Sequence, residues 1–135
     1  MNLLKLSVHN KKHKNEDKKH QINSKKIAEI IADSIVIQDV KDSLDLIGNV
    51  YYQGYDFLIL REEHLSPEFF QLKTKLAGEI LQKFTNYQMH LSIIGDFSQY
   101  KSRSLKAFIR ESNKGKQVFF GRSVQDALSL LTKIY

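Results

Sequence analysis

"DFLILREEHLSPEFFQLKTKLAGEILQKFTNYQMHLSIIG", residues 56–95, holds two short apolar runs separated by a long amphipathic stretch. The first run, Asp56–Leu60, is apolar without alternation, as in an interior strand of a parallel sheet, where both faces are buried. "HLSIIG" (His90–Gly95) reads the same way. Between them Ser66-Pro67-Glu68 is a helix start, with a hydroxyl to cap, proline at the first helical position and an acid in the first turn. The spacing beyond it predicts one helix over Pro67–Asn86. Strand, helix, strand calls for a right-handed crossover and parallel pairing.

Outward from this unit the pattern repeats. Leu4, Leu6 and Val8 alternate with polar residues as in a half-buried strand, and "KIAEII" (Lys26–Ile31) supplies a second. The intervening "NKKHKNEDKKHQINS" (10–24) is dense in charge and reads as an exposed hairpin loop. Asp39 is placed to cap a helix carrying Val40, Leu44, Ile47 and Tyr51 at helical spacing, closed by Gly54. Ser102 or Ser104 caps a further helix, with Leu105, Phe108 and Ile109 inward and Asn113-Lys114-Gly115 as its stop. "QVFF" (Gln117–Phe120) is the last strand. Ser123 then caps a final helix that turns Val124, Ala127, Leu128 and Leu131 to one face. The order is β-β-α-β-α-β-α-β-α: an α/β fold with a mostly parallel sheet and an N-terminal hairpin, in a single domain spanning 1–135.

Composition narrows the functional classes. The chain has 135 residues, no cysteine and one proline, which excludes disulfides and thiolate metal sites. No apolar run approaches the roughly 20 residues that span a bilayer. "MNLLKLSVHN" is too short and polar to read as a secretory leader, so a cytoplasmic location is expected. The formal charge of +6 is unevenly distributed. Residues 1–26 hold eight lysines against Glu16 and Asp17, while 27–100 hold five basic and eleven acidic groups. Residues 101–122 hold seven basic groups against Glu111. Nucleic acid is therefore not a favoured partner for the body of the chain. An outward face of Arg103, Lys106 and Arg110 could still meet an acidic partner or nucleic acid.

On a wheel at 100° per residue, Phe69, Leu72, Leu76, Ala77, Ile80 and Phe84 form the core face of the helix predicted over Pro67–Asn86. A second stripe holds Phe70, Thr74, Gly78, Leu81 and Thr85. A mid-helix glycine costs about 1 kcal/mol relative to alanine, so the stripe is expected to be closely approached by a neighbouring helix of the chain or by a second subunit; the alternative is a tolerated weak spot facing water. Lys73 falls within the apolar face and calls either for a partner, for which Asp96 is the candidate, or for a route outward to water.

Open parallel sheets bind ligands outside the carboxyl ends of their strands. "REEHLS" (61–66), "GDFSQYKS" (95–102) and "GRS" (121–123) lead there and bring Glu63, His64, Ser66, Asp96, Ser98, Lys101 and Arg122 to a shared rim, with Lys73 of the following helix beside it. Acid, imidazole, hydroxyl and cation together would permit acid–base or phosphoryl chemistry on a small molecule. Helix capping accounts for Ser66 and Ser123 without any function. No P-loop and no G-x-G-x-x-G follows a strand, so no cofactor is implied. His9 and His13 have a metal-like interval but sit among lysines, and no metal site is expected.

The runs Phe69-Phe70-x-Leu72-Lys73-Thr74 and Ala77-Gly78-Glu79-Ile80-Leu81-Gln82-Lys83-Phe84 are long and unusual. With Gly95-Asp96-Phe97 and Glu111-Ser112-Asn113-Lys114-Gly115, they resemble a bacterial family known as domain of unknown function 4180, from about Asp39 to the C-terminus. Lys75 departs from that pattern, which commonly has glycine there, at a position the wheel puts outward. No established activity comes with the resemblance. The element order is also similar to that of STAS domains, interaction modules often switched by phosphorylation at the start of the helix after a central strand. Ser66 holds the corresponding place, although the Asp-x-Ser motif is replaced by Glu63-His64-Leu65-Ser66. The expectation is a regulatory or protein-interaction module, with a protein partner or a homodimer. The alternative is a small-ligand binder or enzyme working at the rim.

Overall fold

The computed structural model describes residues 5–10 and 26–134. Five strands lie side by side in chain order: β1 (Lys5–Asn10), β2 (Lys26–Ile31), β3 (Phe57–Arg61), β4 (His90–Ile94) and β5 (Val118–Gly121). β1 runs antiparallel to β2, with Lys5 opposite Ile31 and Asn10 opposite Lys26. The remaining pairs are parallel, with Phe57 opposite His90, Arg61 opposite Ile94 and Leu91 opposite Val118. The connecting helices are α1 (Val40–Tyr52), α2 (Leu76–Asn86), α3 (Arg103–Lys114) and α4 (Val124–Ile134). This is the α/β order read from the sequence. The lysine-rich stretch and His13 lie outside the described residues.

Both faces of the parallel strands are buried, as their unbroken apolar runs require. Ala28, Ile30, Leu58, Leu60, Leu91, Ile93, Val118 and Phe120 point to one face, where α1, α2 and α3 cover them with Leu46, Ile47, Val50, Ala77, Ile80, Phe84 and Leu105. Ile27, Phe57, Ile59 and Ile94 point the other way and meet Ala127 and Leu131 of α4. Three crossovers between sequential neighbours of one hand place their helices on one face; α4 follows the last strand and is free to take the opposite one. Glu29, on the α4 face of β2, is buried and receives Arg61 Nη2 at 2.9 Å, which neutralises it.

The caps largely follow the sequence. Asp39, Ser102 and Ser123 side chains accept the N–H groups of Asp42, Leu105 and Asp126 at 2.9, 3.1 and 3.1 Å, and Gly54 closes α1 at a φ of 87°. Asn113 does more than stop α3. Its amide donates to the Phe120 carbonyl at 3.1 Å and accepts the Phe120 N–H at 2.7 Å, occupying backbone groups of the edge strand β5. One stripe is rotated: α1 buries Ser43, Leu46, Ile47 and Val50, leaving Leu44 and Tyr51 exposed. The apolar residues of α1 outnumber one stripe, so packing against α2 and the sheet selects among them.

The segment 67–86 is not one helix. Pro67–Phe70 and Leu72–Thr74 form 3-10 turns, and α2 begins only at Leu76. Gln71 is extended between the turns, and Lys75 is left-handed at a φ of 64°. Thr74 Oγ1 stands in for helical hydrogen bonds. It lies within donating distance of the Gln71 and Glu68 carbonyls, at 2.8 and 2.9 Å, and accepts the Leu76 N–H at 3.2 Å. The wheel therefore fails before Leu76. Lys73 is exposed rather than central to an apolar face, and the Lys73–Asp96 pair does not form, because Asp96 meets Ser98 and Arg122 instead. Lys75 faces outward, as the wheel put it, but is not neutral. It is the residue that breaks the helix.

A left-handed residue carrying a Cβ costs about 1–2 kcal/mol, and glycine is spared that cost. Lys75→Gly is expected to raise stability by about 1 kcal/mol, and Lys75→Val to lower it by a similar amount. The midpoints of urea unfolding check both; a gain from valine would show that Lys75 is not held left-handed.

Candidate functional site

β3, β4 and β5 run in one direction, so their trailing loops do meet on one rim. The Gly95 N–H donates to the Gly121 carbonyl at 2.9 Å, joining two of them. The roles of the rim residues differ from those expected. His64 is buried, with 2% of its surface exposed. The Arg61 N–H donates to its Nδ1 at 3.0 Å, which leaves the ring proton on Nε2 to be donated to the Ala32 carbonyl, also at 3.0 Å. The His64 carbonyl accepts the N–H groups of Val36 and Ile37. His64 is thus a staple between the loops after β2 and β3. Ser66 is buried and accepts the Glu68 N–H at 3.3 Å, the cap its sequence position suggested. That engagement keeps its hydroxyl from the exposed place that a phosphorylation switch uses.

Glu62, which the sequence did not single out, is the carboxylate the rim is built around. Tyr100 donates its phenol proton to Glu62 Oε2 in a short hydrogen bond, and Gln99 Nε2 donates to the same oxygen at 3.1 Å. Gly95 makes the room: a Cβ there would stand 2.6 Å from Glu62 Oε1 and 2.8 Å from Glu62 Cβ. The available signal was the Gly95 that ends the β4 run one strand over from the "REEH" turn. Burial, together with the Glu62 carboxylate that accepts its proton and repels a phenolate, holds the Tyr100 phenol well above its ordinary 10.0.

Aromatic rings fill most of the rim. Phe70 stacks on Tyr100 with centroids 5.2 Å apart, and Phe97 packs edge-on against Phe120 at 5.4 Å. What stays open is a recess of about 290 Å3, walled by Ile35, Glu62, Glu63, Leu65, Phe70 and Tyr100. Asp96, Ser98 and Arg122 come together at the ends of β4 and β5 but stay exposed. Ser98 donates from its hydroxyl and its N–H to Asp96 Oδ1, holding that carboxyl below the usual range, and Arg122 adds a weak attraction from 3.9 Å. Lys73 and Lys101 are exposed. Of the acid–base set expected here, the imidazole is committed to structure and the exposed carboxylate to an Asx turn. Among the described residues no group of His, Asp and Glu is arranged to hold a metal.

The second stripe also divides. Phe70 belongs to the rim and Thr74 to the break before α2. Gly78, Leu81 and Thr85 line a groove of about 340 Å3 between α2 and α3, faced by Phe108, Ser112 and Val118. A Cβ on Gly78 would meet no heavy atom of a neighbouring element within 4 Å. Close packing inside the chain is therefore not what Gly78 serves; the position opens onto the groove. Gln117 is shared with a wider depression at the amino ends of β3 and β4, walled by Tyr51, Tyr55, Tyr87 and His90. Tyr51 and Tyr87 are exposed there. Arg103, Lys106 and Arg110 are exposed along α3.

These features define an α/β protein with a filled rim and an open inter-helix groove. The chain belongs to the family described as Domain of unknown function (DUF4180), whose model matches residues 22–131. The match takes in β2 through most of α4, more than the span whose motifs carried the resemblance. No curated protein and no solved structure matches the chain. Among the described residues no helix is long and apolar enough to cross a membrane.

Two outcomes test the rim. Gly95→Ala forces the Glu62 side chain to move and is expected to cost about 1–3 kcal/mol in chemical unfolding; full wild-type stability would mean Glu62 is not held against Gly95. The folded-state pKa of Tyr100 is raised, so the stabilisation from its protonated phenol is complete below pH 10.0 and is lost as pH climbs beyond that value. Tyr100→Phe is expected to flatten the alkaline fall in stability, and an unchanged slope would contradict the assignment.

Proposed function

We propose that this is a protein-interaction module whose docking surface is the α2–α3 groove. The observation that carries the reading is the contrast between the two sites. The rim is packed with Phe70, Phe97 and Tyr100, whereas the groove is open beside Gly78. A helix face left unfilled between two otherwise packed helices suits a partner's side chains. The neighbouring exposed tyrosines add the residue type that interfaces favour. The STAS-like element order supports the same class of function, and we extend the reading to a bacterial cytoplasmic setting.

A second reading, a small-ligand binder or enzyme, rests on the recess beside Glu62 and Tyr100. Its weakness is chemical, since the recess offers two carboxylates, Glu62 and Glu63, and a phenol that resists ionisation, with no imidazole or cation among its walls.

A photo-crosslinking side chain at Gln82, on the groove, is expected to join the full chain to another polypeptide in cells. The same group at Gln125, exposed on α4 across the sheet, is expected not to. Gly78→Leu should remove the Gln82 product. Equal products from both positions, or none from Gln82, would refute docking at the groove.

A further inference from the structure

The depression at the amino ends of β3 and β4 lies at the opposite end of the strands from the rim. We infer that it binds a neutral sugar, free or at the end of a glycan. Its volume of about 630 Å3 falls within the roughly 300–1,000 Å3 common for small-molecule sites. Tyr51, Tyr55 and Tyr87 supply aromatic surface, and Asp56, Gln88 and Gln117 supply polar groups beside it. A pyranose presents the matching pair of surfaces. Its weakly positive C–H groups sit against an aromatic face, and its vicinal hydroxyls both donate and accept.

Gln88 carries the inference. The Gln88 N–H donates to the Thr85 carbonyl and the Met89 N–H to the Phe84 carbonyl, both at 2.9 Å, closing α2 with Gln88 left-handed at a φ of 55°. Helix ends of this form usually place glycine there, because a Cβ strains left-handed backbone. The chain keeps a glutamine whose exposed side chain lines the depression and has no hydrogen-bond partner among the described residues. A strained residue whose side chain serves no structural contact is expected where a ligand uses it. The amide can donate to one hydroxyl and accept from the next.

Other ligand classes fit the walls less well. No lysine or arginine lines the depression, so a phosphate would find no cation. An ammonium ligand would meet one already in place, since Lys26 Nζ stands over the Tyr55 ring, 4.9 Å from its centroid. Tyr51 and Tyr87 meet edge to face at 68° with centroids 6.2 Å apart, so they form no parallel slot for a nucleobase. A wholly apolar ligand would bury the Gln88 amide without a partner.

The test is titration of the full chain with glucose, galactose, mannose and N-acetylglucosamine, followed by amide NMR shifts, together with an array of neutral glycans. Binding to either set upholds the inference, and which set binds identifies the source. Tyr87→Ala and Gln88→Gly are each expected to weaken binding about tenfold. Tyr52→Ala, whose ring is exposed but outside the wall, and Gly78→Leu, in the α2–α3 groove, should leave it unchanged. Gln88→Gly is also expected to raise the midpoint of urea unfolding, so that its lost binding is not a lost fold. No sugar bound at millimolar concentration, binding undiminished in Gln88→Gly, or a lowered unfolding midpoint in that variant overturns the inference. So does tighter binding of tetramethylammonium, inorganic phosphate or adenosine.

Discussion

The parallel pairing of β3 with β4, buried on both faces, is the constraint on which the molecule depends. Leu58, Ile59 and Leu60 face Leu91, Ser92 and Ile93, and all six are buried on one side of the sheet or the other. Burying one such aliphatic or aromatic side chain is worth about 1.5–3 kcal/mol, and a slip of one residue would exchange the faces. That pairing requires a crossover, and the crossover brings α2 onto the α1–α3 face. From it follow both the shared rim and the groove beside α3.

The crossover does not begin as a helix, and this irregularity shapes the rim. An unbroken helix from Pro67 would hold Phe69 and Phe70 on a fixed spiral. Two 3-10 turns, an extended Gln71 and a left-handed Lys75 let these rings pack at 5.0 Å from each other, with Phe70 reaching Tyr100 and Phe97. Rings that fill the rim leave little space for a substrate. The buried His64, paired at both ring nitrogens with backbone groups, stiffens the same corner. The carboxyl ends of the strands, where open sheets commonly bind ligands, are here built mainly as structure.

The unsatisfied surface lies elsewhere. α2 packs on α1, and α3 packs on β5, while the two helices leave between them a largely apolar cleft. Asn113 secures the edge strand from α3, so the cleft is bounded by elements held at both ends.

By itself the sequence determined the order of the elements, the direction of β2 to β5, most of the caps and the close neighbourhood of Asp96, Ser98 and Arg122. Those features follow from local periodicity, capping chemistry and the handedness of crossovers, each readable within a few residues. Tertiary structure alone decided that Thr74 and Lys75 interrupt a helix whose apolar spacing runs on through them, because a side-chain hydrogen bond and a left-handed φ leave the hydrophobic pattern unchanged. It also decided that Glu62 rather than Glu63 engages Tyr100, and that Gly78 faces open space. Both depend on which side of a turn meets a strand or helix distant in sequence, and no single stretch of chain records that.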